Sequence, residues 1–187
     1  MKTLFVNACV RPESRTLKLA KHALEKLGND FEEVNLEKEN IQPLNLETLK
    51  QRDDLLKAKD FGAPMLKYAK QLAAAETVVI AAPYWDLSFP AMLKNYIEAV
   101  TVNGITFTYS EQGFPVSLNN IKKVVYVTTA GGPTANMDFG YEDIAGVFKN
   151  LYGVEDIKCY KAEMLDVFVA DTDDILAKVM EEMDVTL

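Results

Sequence analysis

Apolar and polar positions along this chain alternate between two periods, about 2 residues in some stretches and about 3.6 in others. Leu4-Phe5-Val6-Asn7-Ala8 is a short, β-prone run. After a loop, Leu17, Ala20, Leu24 and Leu27 fall on one helical face, and Gly28-Asn29 ends that helix as a C-terminal cap does. Phe31–Leu36 alternates in polarity, the mark of a strand near a sheet edge. Residues 37–61 read as a polar surface loop turned at Pro43, with a short helix near Leu46–Leu55. Pro64 opens a helix predicted to bury Leu66, Ala69 and Ala73. Glu76–Ala82 is almost continuously apolar, as a central parallel strand covered on both faces must be.

Ser88-Phe89-Pro90 reads as the cap and first turn of a helix that runs to about Val100. Asn103-Gly104 is a turn before a short β arm, Ile105–Tyr109. Lys123–Thr129 is another buried strand, and Asp138–Tyr152 a helix stopped by Gly153. Ile157–Tyr160 is the fifth strand, and Thr172 starts a last helix that runs to about Met183. Strands separated by helices predict an α/β, doubly wound parallel sheet. At 187 residues and 49% apolar, the chain suits a single domain over 1–187 with a sizeable core. In such sheets a ligand sits beyond the carboxyl ends of the strands, at the switch point. That places Ala8–Thr16, Pro83–Phe89 and Thr129–Asp138 at the expected site.

Composition narrows the class of function. The formal net charge is −8, which argues against nucleic acid and against an anionic membrane surface. No apolar run approaches the roughly 20 residues of a membrane helix. The first residues lack the apolar stretch and cleavage site of a signal peptide. Cys9 and Cys159 stand without a CxxC or Cys/His cluster, so an iron–sulfur or zinc site is not expected. The expectation is a soluble cytoplasmic protein.

The first of the three loops carries Ser14, Arg15 and Thr16 at a helix start. Free backbone N–H groups and the helix dipole favour an anion there. It spells neither GxGxxG nor GxxxxGK[ST]. A plain helix cap with solvated arginines satisfies the same residues, and the loop alone leaves both open. The second loop, Pro83-Tyr84-Trp85-Asp86-Leu87, puts two adjacent aromatics at a strand end. They suit a planar ring, but equally a core cap or a subunit interface. The third, Thr129-Ala130-Gly131-Gly132, lets backbone approach a ligand closely, or is an ordinary strand-to-helix turn.

Together these loops resemble those of the flavodoxin-like NAD(P)H oxidoreductases, meaning the FMN-dependent azoreductases and the quinone reductases of the DT-diaphorase kind. The resemblance spans nearly the whole chain. Its most specific stretch runs from Ala81-Ala82-Pro83-Tyr84-Trp85-Asp86 through Phe89-Pro90-Ala91-Met92-Leu93-Lys94-Asn95-Tyr96. Asn103-Gly104-Ile105-Thr106-Phe107-Thr108-Tyr109 is similar to the family's β arm, and Thr128-Thr129-Ala130-Gly131-Gly132 to its Gly-Gly turn. The resemblance implies a five-stranded parallel sheet in the order 2-1-3-4-5, with helices on both faces. It implies FMN as cofactor, with FAD, which some relatives use, as the less favoured alternative, NAD(P)H as donor, a small-molecule quinone-like or azo acceptor, and a homodimer whose partner completes the pocket.

By position it assigns the cofactor phosphate to Ser14, Arg15 and Thr16, the ring to Pro83, Tyr84, Trp85, Asp86 and Leu87, and its pyrimidine edge to Thr129, Ala130, Gly131 and Gly132. The backbone N–H groups of Ala130, Gly131 and Gly132 are expected to stabilise charge on the reduced ring. The flavin carries the chemistry, so no catalytic side chain is assigned. Two departures stand out. Asp86 is a carboxylate where azoreductases often carry Asn, and Ala130 stands where they often carry Arg. The only histidine, His22, lies in the first helix and offers no relay. An electron carrier of the flavodoxin type and a flavin-free interaction protein on the same scaffold are the competing readings.

Overall fold

The computed structural model describes residues 2–134, 138–167, 169 and 171–187. Along the chain run β1 (Thr3–Asn7), α1 (Arg15–Lys26), β2 (Phe31–Asn35), the one-turn α2 (Leu36–Glu39) and α3 (Leu46–Lys57). A 3-10 turn (Pro64–Leu66) then leads into α4 (Lys67–Ala73), β3 (Thr77–Ala81) and α5 (Ala91–Val100). β4 (Phe107–Tyr109), β5 (Pro115–Ser117), β6 (Lys123–Thr129), α6 (Phe139–Asn150), β7 (Asp156–Ala162) and α7 (Thr172–Thr186) follow. β2, β1, β3, β6 and β7 pair in that order as one parallel sheet. Counted within the sheet, this is the expected 2-1-3-4-5 order.

The near-continuous apolar strands are explained by burial on both sides. Leu4, Val6, Val78, Ile80, Val124 and Tyr126 face Tyr96 and Ile97 of α5 and Phe148 of α6. Their neighbours Phe5, Val79, Val125 and Val127 face the other way, onto Leu19, Ala20 and Leu24 of α1 and Leu176, Val179 and Met183 of α7. Two apolar layers therefore enclose the sheet. Inward of the Leu17-to-Leu27 face, Leu19, Ala20, Ala23 and Leu24 are the buried apolar residues of α1, with Thr16 buried at its start. His22 lies at the surface, its Nε2 2.7 Å from Asp184 Oδ1. Lys26 Nζ reaches the same oxygen at 2.8 Å, tying α1 to α7.

Several boundaries differ from the expectation, each for a local reason. α5 begins at Ala91 rather than at Ser88. Pro90 is extended (φ −57, ψ 140) and serves as the cap, its carbonyl accepting the Leu93 N–H at 2.9 Å. Leu72, not Ala73, joins Leu66 and Ala69 in the buried face of α4. α2 arises because the Asn35 side chain accepts the Lys38 N–H and Asn40 ends the turn in the left-handed region (φ 47). α3 buries no residue fully and holds its start with an Asn45–Thr48 capping box. β5, unforeseen because it opens on Pro115 and is exposed throughout, pairs antiparallel with β4. Among the described residues no helix is long and apolar enough to cross a membrane.

The two-layer core makes a contrast testable. Leu24→Ala, at a position 1% exposed, is expected to cost about 3 kcal/mol of folding stability. Leu46→Ala, at 86% exposure, should change it by no more than about 0.5 kcal/mol. Urea midpoints of the two variants against the parent check the ordering.

Candidate functional site

At the carboxyl ends of β1, β3 and β6 lies an open cleft of about 270 Å³. Its floor and first wall come from the loop after β1. Asn7 launches that loop, its Oδ1 accepting the Cys9 N–H at 2.9 Å while its Nδ2 donates to Glu33 Oε1 at 2.9 Å. Ser14 then caps α1 in an extended conformation (φ −70, ψ 122) and accepts the Leu17 N–H at 3.2 Å. Helix geometry leaves the Arg15 and Thr16 amides without intrahelical acceptors, and both residues line the cleft. The Thr16 hydroxyl is buried and lies 2.6 Å from the Thr129 hydroxyl, which joins the first loop to the third. Thr16 thus holds the loops together, and its backbone N–H is the group it leaves for a ligand.

The second wall is a two-residue hairpin. Trp85 N–H donates to Ser88 O at 3.0 Å, and Ser88 N–H returns to Trp85 O at 2.8 Å. Asp86 (φ 51) and Leu87 (φ 66) both take the left-handed region, the sign pattern of a type I′ turn. Asp tolerates that conformation, but Leu pays for its Cβ there. The hairpin is anchored by the Tyr84 N–H, which donates to Thr129 O at 3.0 Å. Trp85 and Leu87 remain exposed.

The third loop corrects one expectation. The Ala130 N–H is already committed to Ala162 O at 2.8 Å, extending the β6–β7 ladder, and Ala130 is buried. It is therefore not a donor to the cleft. Among the described residues the N–H groups of Gly131 and Gly132 have no acceptor, while their carbonyls accept the Asp166 and Met164 N–H groups. A Cβ on Gly131 would meet the Asp166 carboxylate, so a larger residue there would oblige that side chain to shift.

Of the assigned residues, Ser14, Arg15, Thr16, Pro83, Tyr84, Trp85, Thr129 and Gly131 come together around the cleft. Asp86 and Leu87 lie at the exposed hairpin tip, Ala130 behind the wall, and Gly132 just beyond the lining. Val10, Arg11, Glu13 and Asp166 complete it. Asp166 carried no signal in the sequence, because only the tertiary fold brings it to Arg15. Arg15 Nη1 lies 2.8 Å from Asp166 Oδ1 and also donates to Leu165 O at 3.0 Å. The Arg15 hydrogen bond holds the Asp166 carboxyl below the usual carboxylate range.

Other ionisable groups lie near the cleft without lining it. Lys161 Nζ donates to Thr134 Oγ1 at 2.7 Å and to Asp138 Oδ2 at 3.1 Å, with Glu163 Oε1 at 3.4 Å. Burial works against its ammonium, but the two carboxylates overcome it and raise its pKa. Cys9 is buried and its thiol is pushed up by that burial, the state of a packed residue rather than a reactive one. Tyr141 packs against the Tyr126 ring at 6.0 Å, away from the cleft lining.

A doubly wound sheet in the 2-1-3-4-5 order, with a cleft at its switch point, defines the flavodoxin-like class. The chain belongs to that family: the family model described as flavodoxin-like fold matches residues 1–187. It is 36% identical over 194 residues to the FMN-dependent NADH:quinone oxidoreductase of Coprothermobacter proteolyticus, covering 97% of this chain and 95% of that one. It is 37% identical over 194 residues to FMN-dependent NADH:quinone oxidoreductase 2 of Clostridium acetobutylicum, with the same two coverages, 97% and 95%. The solved azoreductase of Bacillus anthracis strain Sterne superposes with a TM-score of 0.83 at 27% identity, over 97% of this chain and 96% of that one.

The left-handed Leu87 is a local cost that glycine would not bear. Leu87→Gly is expected to raise folding stability by about 1 kcal/mol, read from denaturation of the ligand-free protein.

Proposed function

We propose that this protein is an FMN-dependent NAD(P)H oxidoreductase that reduces quinone-like or azo acceptors. The observation that carries the reading is a single cleft that joins three kinds of group. These are the helix-start amides of Arg15 and Thr16, the Pro83–Trp85 wall, and the Gly131 N–H, which like that of Gly132 just beyond the lining has no acceptor among the described residues. A flavin mononucleotide needs an anion seat, a flat apolar wall and donors for a carbonyl-rich edge, and this donor set fits all three. The family membership and the names of the relatives support the same reading.

Ser14 fixes the helix start so that the Arg15 and Thr16 amides point at a phosphate. Pro83, Tyr84 and Trp85 orient the ring and exclude water from one face. The Gly131 and Gly132 amides, fixed before any ligand arrives, favour negative charge on the ring edge. Bound there, FMN supplies a ring that takes a hydride from a nicotinamide and passes the electron pair on to an acceptor. Asp86, the carboxylate that stands where azoreductases often carry Asn, sits at the exposed tip and does not line the cleft.

A homodimer belongs to the reading. Trp85 and Leu87 are exposed on the hairpin that walls the cleft, and Phe139 is exposed next to Gly140, where an added Cβ would meet the Ser88 backbone. A second copy covering them would close the open side of the cleft. Both cysteines are free thiols, which suits a reducing cytoplasm.

The test is titration of the ligand-free protein with FMN, followed by flavin fluorescence, then addition of NADH and of NADPH without oxygen. Saturable quenching and rapid bleaching of the flavin are expected. Binding with only slow bleaching by either donor would instead indicate an electron carrier. Absence of flavin binding would overturn the reading outright.

A further inference from the structure

The Arg15–Asp166 pair has no role in the account so far, yet it occupies the phosphate end of the cleft. We propose that Asp166, held by Arg15, closes that end and restricts the site to a flavin that terminates in a single phosphate monoester. The inference rests on the flavin reading above and adds the residue that sets which flavin is taken.

Asp166 is fixed from several directions. Its Oδ1 pairs with Arg15 Nη1 at 2.8 Å, and its N–H donates to Gly131 O at 2.9 Å. Its neighbour Leu165 donates its N–H to Ala130 O at 3.2 Å and accepts both Arg15 Nη1 and Thr172 Oγ1 through its carbonyl. The carboxylate also packs against the Gly131 turn, where an added Cβ would displace it. The pair therefore bridges the start of α1 and the turn after β7, with the glycine turn against it. Because the bridge is made of two charged groups already satisfied by each other, Arg15 contributes little net charge to the seat. The anion there relies on neutral amides and the helix end.

A phosphate monoester ends at such a seat. A dinucleotide flavin must continue from it, carrying a second phosphate and an adenosine. Here the continuation meets a standing ion pair and a carboxylate. Breaking the pair leaves Asp166 unneutralised beside two phosphates, and like charges at short range repel. Arg11 and Glu13 also line the cleft; Arg11 helps Arg15 to hold the Asp166 carboxyl ionised, while Glu13 adds a second carboxylate to the wall. Charge at that end therefore acts against FAD and not against FMN.

The experiment measures equilibrium affinities of riboflavin, FMN and FAD for the ligand-free parent, for Asp166→Ala and for Asp166→Asn, by quenching of flavin fluorescence. In the parent, FMN is expected to bind at least about 100-fold more tightly than FAD. Asp166→Ala should reduce that preference by at least about tenfold, mainly through a gain in FAD affinity, with riboflavin within about twofold of the parent. Asp166→Asn, which keeps the size and drops the charge, should move in the same direction by less. The Asp166 side chain is 66% exposed, so neither substitution empties the core, and denaturation midpoints confirm folding. An unchanged FMN-to-FAD ratio in both variants, or equal weakening of all three flavins, would overturn the inference while leaving the flavin reading standing. Failure of every flavin to bind the parent would remove both.

Discussion

The parallel pairing of β1 with β2 on one side and β3 on the other is the constraint from which the site follows. Parallel strands send all their following loops to one edge, and a reversal of direction at β1 keeps the first helix and the later ones from covering the same gap. Three short loops, far apart in sequence, are thereby delivered to one crevice. Delivery alone does not fix their spacing. That is set by two hydrogen bonds that converge on Thr129, from the Thr16 hydroxyl at 2.6 Å and from the Tyr84 N–H at 3.0 Å. One residue at the end of β6 thus registers the first and second loops against the third. Its side chain is buried with its partner, where an unmet hydroxyl costs about 1–3 kcal/mol.

The walls are rigid in different ways. The glycine turn is held from behind by the Ala130–Ala162 ladder bond and from the side by Asp166, so its free amides keep their direction. The hairpin is held by its own paired hydrogen bonds, at the cost of a left-handed leucine. Asn-Gly would satisfy the same turn with less strain. What Asp86-Leu87 adds is a large apolar side chain at the rim, next to Trp85. Elsewhere positive φ falls on glycine or asparagine at Gly28, Asn29, Asn40, Gly104, Gly113 and Gly153, and on Lys59 and Met164, so Leu87 is one of several larger side chains that the fold holds in the left-handed region.

The frame was legible in the sequence because it is periodic. Val78, Val79, Ile80 and Val124–Val127 are apolar without interruption since both their faces are covered, and the α1 spacing of Ala20 and Leu24 has no other use. What escaped notice had no period to show. β5 has three exposed residues and a proline, and α2 is one turn made by two asparagines. Within the site, the residue types that bind through backbone were found by their loops. Which amides are free was not readable, since the Ala130 N–H is consumed by Ala162 on a neighbouring strand. Asp166 was invisible for the same reason: nothing in the run Leu165-Asp166-Val167 indicates that Gly131 makes room for it.

The charge economy of the cleft explains how a chain of net charge −8 can hold an anion. A general negative field acts over a distance limited by salt, about 8 Å under physiological conditions. Amides in direct contact act at about 3 Å, inside that screening distance. A single free arginine would do the same work, but it would also accept any phosphate chain that could reach it. Pairing Arg15 with Asp166 removes that permissive charge and leaves donors whose number and direction are set by the backbone. The cleft then discriminates by where its ligand must stop. Selectivity in this site therefore comes from restraint in using cations, with the fold supplying the donors that replace them.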